Sequence, residues 1–139
     1  MASGLLTELG FGKNTQAMLL TRGLVEIARL IKVMGADTST LLGLAGIGDI
    51  IATCTSPISR NFQAGALLAR GIDKVEIQKQ LGMTVEGINT IQVAYQIGQQ
   101  RNLDLPITVA LHQIAFEKKP VDAALIELMQ RPSSYEIIG

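Results

Sequence analysis

The stretch GDIIATCTSPISRN, residues 48–61, gathers a carboxylate, hydroxyls, a thiol, a guanidinium and a carboxamide into an otherwise apolar region. Asp49 and Thr53 are four positions apart, which on a helix puts them on one face, with Cβ atoms roughly 5–6 Å apart. A carboxylate and a hydroxyl so placed can hold a small polyol or position an ammonium group. Equally, the threonine can bond back to its own helix beside a surface aspartate. Pro57 ends that helix, because it lacks an N–H and disfavours helical geometry in the residue before it. Ser59 can cap the next helix. Ser59, Arg60 and Asn61 then sit where free backbone N–H groups and the positive end of the helix dipole attract an anion. Arginine adds a planar, permanently charged fork suited to phosphate. The local alternative is a capped helix with a solvated arginine.

Other chemically suggestive residues are weaker. Glu86, in TVEGINT (residues 84–90), falls in the first turn of a helix, where the dipole favours a carboxylate whether or not it meets a ligand. Gly43, Gly46 and Gly48 lack the preceding strand and the spacing of a dinucleotide fingerprint. LGFGKNT, residues 9–15, lacks the Gly-Lys-Ser/Thr of a phosphate loop. His112 lies in an apolar-striped helix with no nucleophilic or acidic partner nearby in sequence, and reads as a packed structural residue. Cys54 reads as a buried structural thiol.

The bulk composition bounds the function class. The chain has 139 residues, 47% of them apolar, which suffices for one domain with one core. Twelve basic residues cancel twelve acidic ones and tryptophan is absent, so neither a nucleic-acid-attracting field nor a base-stacking surface is expected. One cysteine and one histidine offer neither a disulfide nor a zinc-ligand set, so no metal is expected, and a reducing, cytoplasmic setting fits. No run approaches the ~18 uninterrupted apolar residues of a membrane span.

The elements that must position these residues are helical nearly throughout. Leu20, Leu24, Ile27, Ile31 and Met34 form one stripe, widened by Met18, Val25 and Ala28, which predicts a largely buried helix from about Asn14 to Met34, stopped by Gly35. A helix capped by Ser59 runs through Leu67 and Leu68 to Gly71. Asp73 with Glu76 reads as a capping box for a helix ending at Gly82. Thr84 opens another with Ile88, Ile91 and Tyr95 inward. Pro106 and Pro120 mark two more first turns. No strand alternation competes. The expectation is seven or eight helices in an all-α bundle, with the first dozen and last seven residues frayed.

Taken together, GFGKNTQAMLLTRGLVEIARL, GLAGIGDIIATCTSPISRN and VEGINT resemble the C-terminal substrate domain of bacterial NAD(P)-dependent glycerol-3-phosphate dehydrogenase, in order and spacing over nearly the whole chain. The resemblance implies an oxidoreductase interconverting sn-glycerol 3-phosphate and dihydroxyacetone phosphate. It implies a multi-helix bundle of the 6-phosphogluconate dehydrogenase C-terminal-domain-like fold, with residues 1–139 as the substrate-binding domain. It makes Asp49 the aspartate of the catalytic cleft and Thr53 a cleft hydroxyl. Asp49, Ser59, Arg60 and Asn61 become substrate-binding residues, the last three holding the phosphate. Arg60, Thr84 and Glu86 become cofactor contacts. Thr84 departs from the aliphatic residue usual at its position, although a backbone contact would survive the change. Lys13 and Gln16 replace an acid and a base of the family pattern.

The family's general acid/base lysine, in a Lys-Asn pair, falls just before this chain, and no strand, glycine-rich turn and helix in residues 1–139 supply a Rossmann unit. Hydride transfer needs the nicotinamide held against the substrate carbon, and proton transfer needs a group within hydrogen-bond reach. The isolated chain is therefore expected to be inactive, with NAD or NADP bound mainly by the N-terminal dinucleotide-binding domain. The expected partner is a small phosphate ester, with no membrane insertion and a possible homodimer. Two alternatives stand beside this: a non-catalytic helical interaction module, and the substrate domain of a dehydrogenase acting on another 2-hydroxy compound.

Overall fold

The structure, a computed structural model, describes residues 1–35, 56–82 and 86–131, with only the backbone of Glu86. Among them are seven helices and no strand, so the all-α expectation holds: α1 (Ala2–Glu8), α2 (Lys13–Val33), α3 (Arg60–Ala69), α4 (Lys74–Leu81), α5 (Glu86–Arg101), α6 (Pro106–Phe116) and α7 (Val121–Gln130). None of the helices described is long and apolar enough to cross a membrane.

Local chemistry accounts for the boundaries. Ser59 caps α3, its Oγ accepting from the Phe62 N–H at 3.5 Å, and Asp73 caps α4, its carboxylate accepting from the Glu76 N–H at 2.8 Å. Gly82 closes α4 at φ +74°, a left-handed conformation that a side chain would strain. Pro106 occupies the first turn of α6, whereas Pro120 is the N-cap of α7 and so lies one place outside the predicted first turn.

Two expectations about burial are corrected. The N-terminal segment is not a frayed end. Leu5 and Leu6 of α1 are each only 2% exposed and belong to the central core with Leu68, Ile77, Ile88, Ile107, Ile114, Leu125 and Leu128. The cause is an approach of α1 to α3 so close that a Cβ on Gly4 would overlap the Phe62 carbonyl, and one on Gly65 the Met1 carbonyl. A hydrophobic stripe seven residues long carries too little periodicity to announce this; the paired glycines permit it.

The inward face of α2 only partly matches the predicted stripe. Val25 and Ala28 are buried as expected, together with Leu19 and Glu26, while Met18, Ile27 and Met34 are exposed at 46%, 37% and 69%. Apolar side chains thus cover part of the α2 surface. Leu20, Leu24, Ile27 and Leu30 line a cavity of about 200 Å³ shared with α1 and α6. A carboxylate takes the core position instead, because it caps another helix. Glu26 is 3% exposed and accepts hydrogen bonds from the N–H groups of Ile107 (2.7 Å) and Thr108 (2.9 Å) and from the Thr108 hydroxyl (2.8 Å). These amides open α6, which has no side-chain cap of its own. Burial pushes the Glu26 carboxyl above its ordinary range, while the amides, the hydroxyl and Arg29 pull the other way. Close by, Arg29 donates to the Asp104 carbonyl at 2.6 Å and Arg131 pairs with the Asp104 carboxylate at 2.8 Å, holding the turn that leads into α6.

Candidate functional site

The start of α3 is built by its own sequence. Pro57 and Ile58 form a turn in which the Ser59 N–H donates to the Ser56 carbonyl at 3.1 Å, and Gln63 reaches back from the first turn of α3 to the Pro57 carbonyl at 3.2 Å. With the turn closed from both sides, Ser59 leaves the helix in extended geometry (φ −66°, ψ 134°) and caps it. Arg60 is exposed at the first helical position, and Ile58 is 85% exposed beside it. A capped helix start carrying an exposed guanidinium joins three elements that suit an oxyanion: oriented amides, the helix dipole and a charged fork.

Asn61 is engaged differently. Its Oδ1 accepts the N–H of Gly87 at 3.0 Å, across 26 residues of sequence. Gly87 is the second residue of α5, so this bond fastens the start of α3 to the start of α5 and brings two helix N-termini together. In the sequence Ser59, Arg60 and Asn61 stand side by side and Glu86 lies well apart from them. The structure brings the backbone of Glu86, the first residue of α5, next to the Asn61 anchor.

Asp49, Thr53 and Thr84, like Cys54, lie outside the described residues, as does the side chain of Glu86. Among the described residues no group of His, Cys, Asp and Glu could hold a metal ion. His112 is packed between rings, 3.6 Å from Tyr95 and 5.0 Å from Phe116 between centroids, as its packed reading expects, but the expectation of no acidic partner nearby in sequence is corrected: its Nδ1 is 3.0 Å from a carboxylate oxygen of Glu117, five residues on. That arrangement ties α5 to α6.

Sequence reasoning missed Gly87 and Gln63. Gly87 carried a signal, a glycine one place after the first-turn glutamate, where helix propensity disfavours it by about 1 kcal/mol relative to alanine and a packing reason is therefore to be sought.

Residues 1–126 match the family model described as the C-terminus of NAD-dependent glycerol-3-phosphate dehydrogenase. Among curated proteins, the chain is 46% identical over 139 residues to glycerol-3-phosphate dehydrogenase [NAD(P)+] of Thermoanaerobacter sp., covering all of this chain and 42% of that protein. It is 44% identical over 137 residues to the protein of the same description from Bacillus subtilis, covering 99% and 40%. A solved structure of glycerol-3-phosphate dehydrogenase from Coxiella burnetii superposes with a TM-score of 0.86 at 38% identity, over 94% of this chain and 40% of that one. The chain thus spans about two fifths of the length of these relatives.

Proposed function

Since the chain belongs to the family of NAD-dependent glycerol-3-phosphate dehydrogenase C-terminal domains, we propose that it is the substrate half of an oxidoreductase that interconverts sn-glycerol 3-phosphate and dihydroxyacetone phosphate. The observation that carries this reading is the start of α3, where the Ser59 cap, the exposed Arg60 and the anchored Asn61 stand together. In this reading these three residues seat the phosphoryl group. That fixes one end of the substrate and restricts how its carbonyl end can lie. Asp49 and Thr53, one helical turn apart in sequence, hold the hydroxyl-bearing end. Proton transfer falls to a lysine outside this chain, as the family pattern implies.

NAD or NADP, when bound, supplies or accepts the hydride. An exposed arginine at a helix start suits the negative charge of a dinucleotide, and Arg60, Thr84 and Glu86 are the residues of this chain that would meet it. The rest of the cofactor site belongs to a dinucleotide-binding domain. The same reading makes this a cytoplasmic metabolic protein whose partner is a small phosphate ester.

The test is Arg60→Ala in the full-length two-domain enzyme. Losing a charge-assisted contact to phosphate costs about 1.5–3 kcal/mol, which corresponds to roughly a 10- to 150-fold rise in KM for dihydroxyacetone phosphate. An unchanged KM would remove the phosphate seat from α3. Homodimerisation is a second element of the proposal, supported by the exposed apolar side chains of Met18 and Ile27 on α2 and of Met34 at its C-cap. Sedimentation at several concentrations would show a doubled mass, and a constant monomer mass would exclude it.

A further inference from the structure

The Asn61 carboxamide has one oxygen and one NH2 group, and which of them faces the anion site decides what the site accepts. An amide N–H can only donate, so the 3.0 Å contact with the Gly87 N–H must be made by the Asn61 oxygen. That N–H belongs to the first turn of α5 and has no partner within its helix. The opposite end of the carboxamide, Nδ2, makes no hydrogen bond among the described residues. Gly87 also provides the room. A Cβ there would collide with Asn61 Oδ1, lie 2.8 Å from Asn61 Cγ and reach 3.0 Å from Met1 Cε.

We propose that Gly87 is a positioning residue for the phosphate seat: its amide pins the Asn61 oxygen, so that Asn61 presents only a donor, which suits a strong acceptor such as an oxyanion and rejects an ammonium group, which has no acceptor. The inference rests on the phosphate-seat reading above and adds a residue that touches no ligand in it. Unpinned, an asparagine can turn its oxygen toward the ligand, and phosphate would then meet an acceptor. The missing Cβ and the free amide of residue 87 are both needed to prevent this.

The experiment measures, in the full-length enzyme, kcat and KM for dihydroxyacetone phosphate and its preference over dihydroxyacetone, which lacks the phosphate. The variants are Gly87→Ala, Asn61→Ala and their combination. Gly87→Ala should raise KM for the phosphorylated substrate about tenfold, the loss of one hydrogen bond to a charged acceptor, with kcat unchanged. On the Asn61→Ala background the same change should add nothing, because the pinned group is gone and the added methyl gains space. Independent, additive effects would overturn the proposal, and so would a Gly87→Ala enzyme with normal KM.

Should Gly87→Ala fail to fold, amide exchange in the unmutated residue-87 enzyme decides. The Gly87 N–H should be protected in the parent and in Asn61→Asp, which keeps the acceptor, and exposed in Asn61→Ala. Equal protection in all three would refute the pin. Arg60→Ala separates the two levels of the argument. If it leaves KM unchanged the phosphate seat itself is wrong, whereas a raised KM with normal Gly87→Ala kinetics defeats only the role of Gly87.

Discussion

Replacing Glu26 tests how a carboxylate can occupy a core position on α2. Its oxygens satisfy the N–H groups of Ile107 and Thr108 and the Thr108 hydroxyl, at 2.7–2.9 Å, and Glu26 itself is 3% exposed. Glu26→Ala would leave two backbone donors at the start of α6 without an acceptor. At about 1–3 kcal/mol for each unsatisfied buried group, the loss is about 2–6 kcal/mol. Glu26→Gln keeps one oxygen but turns an NH2 group toward a donor, and should lose about 1–3 kcal/mol. Urea unfolding followed by circular dichroism would measure both as free-energy losses, and thermal unfolding would show them as roughly 3 °C of Tm for each kcal/mol in a chain of this size.

The dependence on pH gives a second, independent reading. Burial raises the folded-state pKa of Glu26 above its unfolded value, so over the interval between the two values the native state holds more protons. Its contribution to stability is therefore complete below the ordinary glutamate range and declines as pH rises through the raised folded value. Glu26→Gln cannot ionise and should lack that decline, so the gap between parent and variant should narrow with rising pH over that window. If Glu26→Ala lies within about 1 kcal/mol of the parent and the parent and Gln variant share one pH slope, the capping argument fails.

Two smaller perturbations probe the helix contacts and ends. Gly65→Ala sets a methyl against the Met1 carbonyl and 2.9 Å from the Leu5 nitrogen, neither of which is the end of a flexible side chain, and should destabilise by at least the 1–3 kcal/mol typical of an overpacked core, read as a lowered urea midpoint; an unchanged midpoint would mean that α1 does not dock on α3. Asp73→Ala removes the cap that accepts the Glu76 N–H at 2.8 Å and should cost about 1 kcal/mol, whereas Asp73→Asn, which keeps an acceptor, should cost clearly less. Equal losses for the two would assign the effect to charge and not to capping.

What was legible in the sequence was written in short-range chemistry. Ser59 and Asp73 cap helices because a hydroxyl or carboxylate before a helical run can reach only its own first-turn amides, and Pro106 opens α6 because proline suits a first turn. The helical class followed from period, and the family from the order of motifs around Asp49, Ser59-Arg60-Asn61 and Glu86. What the tertiary structure alone decided concerns partners distant in sequence. Glu26 meets Thr108 across 82 residues and Asn61 meets Gly87 across 26, and no periodicity encodes which buried amide a side chain will find. The same limit half hid the inward face of α2: the expected stripe rightly included Val25 and Ala28, but the helix turns toward the core the side that carries Glu26, the cap for α6, and leaves Ile27 exposed. α1 was invisible for the converse reason. Seven residues hold too little pattern to announce a helix, and its place in the core depends on two glycines, Gly4 and Gly65, that only a folded chain sets against the neighbouring helix.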